Sequence, residues 1–268
     1  MSALSDRLDA INDGEGRAAL VCYLPVGFPD VDTSIRAMVA MVEAGADIVE
    51  IGPPYSDPVL DGPVIQLAVA RALEGGVRLA DTFAAVRAVR EAGAEPVVMS
   101  YFNPMLQHGL DRFAADMVAA GGSGVITPDL TPDAGEDWVA AARAADLDTV
   151  FLVAPSTTTE RMHMTCAASR GFVYATPLMG VTGERAQVGD AAERVVREAR
   201  EAGAPKVCVG VGVSTREHAA EIGRYADGVI VGTALVRILA EAATPDEGIA
   251  ALRERVSQLA AGVREARA

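Results

Sequence analysis

One phrase recurs along the chain and constrains its fold more than any other feature. It is an alanine-rich amphipathic stretch, then a small residue or turn, then four or five β-branched or apolar residues. It reads Glu43 to Ile51 (EAGADIVEI), Glu91 to Met99 (EAGAEPVVM), Ala119 to Thr127 (AAGGSGVIT), Ala144 to Val153 (AADLDTVFLV), Ala168 to Ala175 (ASRGFVYA), Glu201 to Val209 (EAGAPKVCV) and Tyr225 to Val231 (YADGVIV). With Ala18 to Tyr23 (AALVCY) ahead of them, eight short strands are predicted. These strands lack polar alternation and are therefore buried on both faces, as in a parallel sheet whose crossovers are helices. Between them, sets such as Ile35, Met38, Val39 and Val42, or Phe83, Val86 and Val89, repeat at helical spacing.

Eight strand-then-helix units predict an α/β fold of the (β/α)8 TIM-barrel type. The rival is a dinucleotide-binding fold, because Gly210-Val211-Gly212 follows a strand and precedes a helix. Against it, the third fingerprint position is Thr215, and no tandem βαβ half is singled out. At 268 residues one core is routine for such a barrel, so residues 1–268 are expected to form a single domain. An extra N-terminal helix with Leu4, Leu8 and Ile11 on one face would plug the barrel's underside. At the other end Thr244, Pro245 and Glu247 open an extended C-terminal helical segment, in which Ile249, Leu252, Val256, Leu259 and Val263 form the apolar stripe. Both are read as packing elements, with a partner-binding helix as the alternative.

The net charge of -14 repels phosphate backbones and anionic lipid, which argues against nucleic acid and membrane as partners. No apolar run approaches the roughly 20 residues of a membrane span, and Met1 to Gly16 is too polar for a signal peptide, so a cytoplasmic location is expected. Cys22, Cys166 and Cys208 are odd in number and far apart, which favours buried free thiols over disulfides or a zinc cluster.

In a barrel of this kind, catalytic groups gather at the C-terminal ends of strands and on the loops that follow. Glu50 is a carboxylate within an apolar strand, where desolvation would raise its pKa and suit it to carry protons near neutral pH. The same pattern also fits a buried acid paired with an arginine. Asp61 lies in the following loop, close enough to join Glu50 at one mouth, and its solvent access is expected to keep it ionised. It equally fits a turn or N-cap aspartate before Gly62-Pro63. Two glycine turns, Gly210 to Thr215 and Gly232-Thr233-Ala234, each precede a helix after the seventh and eighth strands, where exposed amides hold phosphate in many barrels. Either turn by itself also fits an ordinary tight connection. The stretch Pro177 to Arg185 is long enough for a lid, or for a plain mobile loop.

Some chemistries drop out. Of 23 basic residues only Lys206 is a lysine, and it precedes the seventh strand, at the wrong end for a Schiff base. His108, His163 and His218 are scattered, so no metal ligand set is expected. No G-x-S-x-G elbow offers a serine nucleophile. Carboxylate acid-base work on a phosphorylated small molecule remains.

The residues resemble one family closely, the α subunit of tryptophan synthase. The match runs from Leu20 to Val236. It is carried by Glu50-Ile51-Gly52, Ser56-Asp57-Pro58, Asp61-Gly62-Pro63 with Ile65-Gln66, Gly180-Val181-Thr182-Gly183, Val209 to Ser214 and Asp227 to Ala234. The resemblance implies a cytosolic barrel that cleaves indole-3-glycerol phosphate to indole and glyceraldehyde 3-phosphate in a retro-aldol step. It assigns the catalytic roles to Glu50 and Asp61, and phosphate-binding amides to Gly183, Gly212, Gly232 and Thr233, with the Ser214 turn nearby. It also assigns substrate contacts to Tyr23 and Tyr174 and the lid threonine to Thr182. It further implies no cofactor in this chain and a pyridoxal-phosphate-dependent β subunit as partner in an α2β2 assembly, with Pro54, Asp57 and Asn103 on the docking face.

Several positions depart from the family's usual pattern: Pro53, Thr131, Pro177, Met179, and Tyr23 in place of phenylalanine, whose added hydroxyl needs a partner. Two alternatives to the lyase remain at this stage. One is a non-catalytic allosteric subunit that only activates the β partner, and the other is a different barrel enzyme acting on a phosphorylated precursor.

Overall fold

The computed structural model describes residues 3–176, 185–210 and 212–267, without the side chains of 185–189. Residues 177–184 of the predicted lid, Thr182 and Gly183 among them, therefore lie outside the described residues, as does Val211. The strands are β1 (Ala19–Pro25), β2 (Ile48–Gly52), β3 (Glu95–Met99), β4 (Gly124–Ile126), β5 (Asp148–Val150), β6 (Leu152–Val153), β7 (Val173–Ala175), β8 (Val207–Gly210) and β9 (Gly228–Val231). All pair in parallel, in the order β5-β4-β3-β2-β1-β9-β8-β7-β6. The two ends of that order, β5 and β6, are one stretch of chain interrupted only at Phe151, so the backbone itself completes the ring. The fold is the expected (β/α)8 barrel, with the fifth predicted strand split in two.

Helices wrap the sheet because each carries one apolar face. In the helix Leu79–Ala92, Phe83, Val86 and Val89 are buried as their spacing predicts. The C-terminal helix Pro245–Glu265 begins at Thr244, whose side chain accepts from Glu247 N at 3.3 Å, and it buries Leu252, Val256, Leu259 and Val263.

The interior is filled from below. Leu4 and Leu8, on the helix Ala3–Asp9, and Ile11 in the turn after it are fully buried. They pack against Val21, Ile48, Val97, Ile126, Val150, Phe172, Cys208 and Ile230, one inward residue from nearly every strand. Polar ties fasten this segment at the strands' N-terminal ends. Asp47 accepts from Arg17 Nη1 at 2.7 Å and Nη2 at 2.8 Å and from Leu20 N at 2.9 Å. Asn12 Nδ2 donates to the Arg17 and Asp227 carbonyls, both at 2.9 Å. Lys206 Nζ lies 2.9 Å from the Asp9 carboxylate, which confirms its place at the underside. Cys22, Cys166 and Cys208 are buried free thiols. Among the described residues no helix is long and apolar enough to cross a membrane.

Candidate active site

The inward residues above the plug define the upper layer of the barrel. Tyr23 on β1 pairs in register with Glu50 on β2, so the two side chains emerge at one level and on one face. Across the ring Tyr174 on β7 pairs with Cys208 on β8. Glu50 is 1% exposed, and among the described residues its Oε2 has no hydrogen-bond partner. Desolvation, with the nearby Asp61 charge adding to it, pushes its carboxyl up to about 8. The arginine-paired acid that sequence alone left open is a different residue, Asp47, three positions earlier and fastened by Arg17. Among the described residues no basic side chain pairs with Glu50, and burial keeps it protonated.

Asp61 departs from the expectation of free solvent access. It is half-buried, and desolvation raises its carboxyl to about 6, so it still ionises at neutral pH but less readily than an exposed aspartate. Its loop explains why. Asp61 N donates to the Pro58 carbonyl at 3.1 Å, and Gln66 Nε2 donates to the Asp61 carbonyl at 2.8 Å. The neighbouring Leu60 N donates to Tyr101 Oη at 3.0 Å. The helix Pro63–Glu74 takes Gly62 as its N-cap, so Asp61 is not spent on capping.

Glycines make room for the two tyrosines. A Cβ on Gly52 would stand 2.5 Å from Tyr23 Oη, and one on Gly210 would collide with the Tyr174 hydroxyl. Gly232 faces the other edge of the Tyr23 ring. Burial, reinforced by Asp61 and Glu50 at Tyr23 and by Glu50 at Tyr174, holds both phenols well above their ordinary titration range, so both stay protonated donors. Among the described residues Tyr23 Oη has no hydrogen-bond partner of its own. Gly52→Ala displaces the Tyr23 ring and destabilises the fold by about 1–3 kcal/mol, the usual cost of overpacking. A denaturant midpoint equal to that of the unsubstituted chain would contradict this crowding.

The two glycine turns are neighbours, because β8 and β9 pair with Gly210 opposite Ile230. Gly232 is the N-cap of the helix Thr233–Glu241, and its carbonyl accepts from Leu235 N and Val236 N. Gly212 adopts a left-handed φ of 55°, open to glycine at little cost. After Ser214, Thr215 caps the helix Arg216–Gly223. Two helix N-termini therefore follow adjacent strands at one rim, an arrangement suited to an anion.

Around this mouth lie the predicted docking residues. Asn103 Nδ2 donates to Tyr55 Oη at 3.4 Å, and the Tyr55 ring lies 5.1 Å from that of Tyr101. Ser56 Oγ donates to the exposed Asp57 carboxylate at 2.7 Å, and Pro54 is half-buried on the same loop. The Asp129 carboxylate accepts from Phe102 N at 3.0 Å. Thr131 hydrogen-bonds the Asp133 carboxyl and with Arg161 holds it below the ordinary range. Val59, Leu60 and Leu106 are 77%, 57% and 51% exposed on these loops and the helix Phe102–His108. Sequence reasoning did not single out Tyr101 or Tyr55. Tyr101 lies two residues after the end of β3, a position that the strand-end rule flags.

Among the described residues no group of three or more His, Cys, Asp and Glu side chains is placed to hold a metal ion. The family model described as "Tryptophan synthase alpha chain" matches residues 10–264. The tryptophan synthase alpha chain of Mycobacterium avium is 55% identical over 264 residues, covering 98% of this chain and 95% of that one. A solved structure of Mycobacterium tuberculosis tryptophan synthase superposes with a TM-score of 0.91 at 52% identity, covering 98% of each chain. That of the alpha subunit from Legionella pneumophila gives 0.89 at 28% identity, again over 98% of each.

Proposed function

The chain belongs to the tryptophan synthase alpha chain family, and from that premise we propose how its own residues carry the reaction. It is a lyase that cleaves indole-3-glycerol phosphate in tryptophan biosynthesis. One observation carries the mechanism: a fully buried Glu50, without an ion-pair partner among the described residues, near a half-buried Asp61.

In the proposed sequence the protonated Glu50 gives its proton to indole C3, which leaves positive charge on the ring nitrogen. Ionised Asp61 accepts a hydrogen bond from that N–H and stabilises the charge. Glu50, now a carboxylate, removes the proton from the adjacent glycerol hydroxyl. The oxygen becomes the aldehyde carbonyl, the carbon–carbon bond breaks, and its electron pair restores the neutral indole. Glu50 ends protonated as it began, now holding the hydroxyl's proton, while its original proton stays on indole C3. The ring nitrogen serves as the electron sink, so the scheme calls on neither lysine nor metal. Tyr23 and Tyr174 flank the reacting centre. The amides at Gly212, Gly232 and Thr233, with Gly183 from the lid, hold the phosphate end and convert remote binding into orientation, and the lid's Thr182 orients Asp61.

This assignment leads to a bell-shaped dependence of kcat/KM on pH, measured as indole release. Activity falls below about 6 as Asp61 takes up a proton, and above about 8 as Glu50 loses the one that it must donate. A rate that keeps rising past pH 9 would overturn the roles given to the pair.

The proposal extends to the chain's setting. Residues 1–268 act as one cytoplasmic barrel domain without a cofactor of its own. A pyridoxal-phosphate-dependent β subunit docks on the loops bearing Pro54, Asp57 and Asn103, in an α2β2 assembly. The exposed Val59, Leu60 and Leu106 support that face, since such side chains at one rim suit a partner. In the same assay, added β subunit raises the rate of indole release; an unchanged rate speaks against the docking face.

A further inference from the structure

We infer that Arg255, on the C-terminal helix Pro245–Glu265 and outside the chemistry above, is a positioning residue for the turn that receives the substrate's phosphate. This rests on the reading of Gly212 to Thr215 as half of a phosphate site. Arg255 Nη1 donates to the Ser214 carbonyl at 2.7 Å, in part-buried surroundings and across 41 residues of sequence. Among the described residues no other side chain hydrogen-bonds the backbone of Gly212, Val213 or Ser214.

Three physical points give this bond a purpose. A peptide unit is planar and trans, so the Ser214 oxygen and the Thr215 N–H point to opposite sides. Holding the oxygen against the C-terminal helix therefore turns the Thr215 amide away from that helix. It also fixes the entry to the helix Arg216–Gly223, where Thr215 Oγ1 accepts from His218 N at 3.3 Å. Second, the turn passes through Gly212 at a φ of 55°, a residue that imposes little stiffness of its own, so an external tie sets its shape. Third, a guanidinium beside the turn supplies positive potential in a chain whose net charge is -14.

The test uses the full chain with its β subunit, the substitutions Arg255→Met and Arg255→Lys, and two substrates: indole-3-glycerol phosphate and its dephosphorylated counterpart. Arg255→Met raises KM for the phosphorylated substrate about tenfold with kcat changed less than about twofold, the size expected for losing one charge-assisted hydrogen bond. The dephosphorylated substrate loses less than about twofold in kcat/KM, and Arg255→Lys recovers part of the affinity because it keeps the charge but not the planar fork. Equal losses with both substrates, or an unaltered KM, overturn the inference. If the unsubstituted enzyme itself shows no preference for the phosphorylated substrate, the phosphate reading of the turns falls and takes this inference with it. If that preference exists and survives intact in Arg255→Met, the inference alone falls.

Discussion

Glu50→Gln lowers kcat by about 1,000- to 10,000-fold, the upper part of the range for acid-base groups, because one side chain performs both proton transfers. Glutamine keeps the shape and loses the titrating proton. Single-turnover indole release measures the effect, and a variant within about tenfold of the unsubstituted enzyme would remove Glu50 from the mechanism. The same substitution changes stability in a direction that depends on pH. The folded chain holds the Glu50 proton up to about 8, whereas an ordinary glutamate releases it near 4.5. Between those values the unfolded chain binds fewer protons, so the fold weakens as pH rises, and the cost is complete only above the folded value. Glutamine removes that dependence, although its buried amide still lacks partners, at a cost of about 1–3 kcal/mol. The stability difference between the variant and the unsubstituted chain, read from their Tm values, therefore moves in the variant's favour from pH 5 to pH 8, by an amount on the order of a few kcal/mol. Parallel Tm curves across that range would show that Glu50 titrates normally.

Asp61→Asn lowers kcat by about 100- to 1,000-fold, the usual penalty for removing an electrostatic stabiliser of transition-state charge, with a smaller effect on KM. The amide oxygen still accepts the indole N–H but brings no negative charge. The pH profile separates this account from a simple loss of shape. The acid limb near 6 disappears, because the group that produced it no longer titrates. The alkaline limb moves to lower pH, because the Asp61 charge helps to raise Glu50. An alkaline limb that stays in place would mean that the two carboxylates do not sense each other.

The strand plan was legible because burial on both faces leaves a mark: runs such as Ile48–Gly52 and Gly228–Val231 have no polar alternation to hide. The interruption at Phe151 was not, since Ala144 to Val153 reads as one apolar run and the break arises only where the ring closes. Glu50 stood out as a charge inside such a run. Asp47, equally buried, looked no different, and only the fold brings Arg17 to it from 30 residues away. The partial burial of Asp61 escaped notice for the same reason, as Tyr101 reaches its loop from a different strand. Arg255 gave no signal at all: by helical spacing it borders the stripe of Leu252, Val256 and Leu259, where an arginine reads as a stem laid along the edge with its head in water. Sequence pattern registers what each residue does to water, and only the folded chain shows which distant residue it meets.

The segment from Leu4 to Ile11 has a consequence for traffic. It makes the barrel a blind-ended vessel, stoppered beneath Glu50 by fully buried aliphatic side chains. Newly freed indole has no exit downward, and every product must depart through the rim by which its parent entered. Whatever covers that rim decides whether the indole diffuses into bulk water or is handed on.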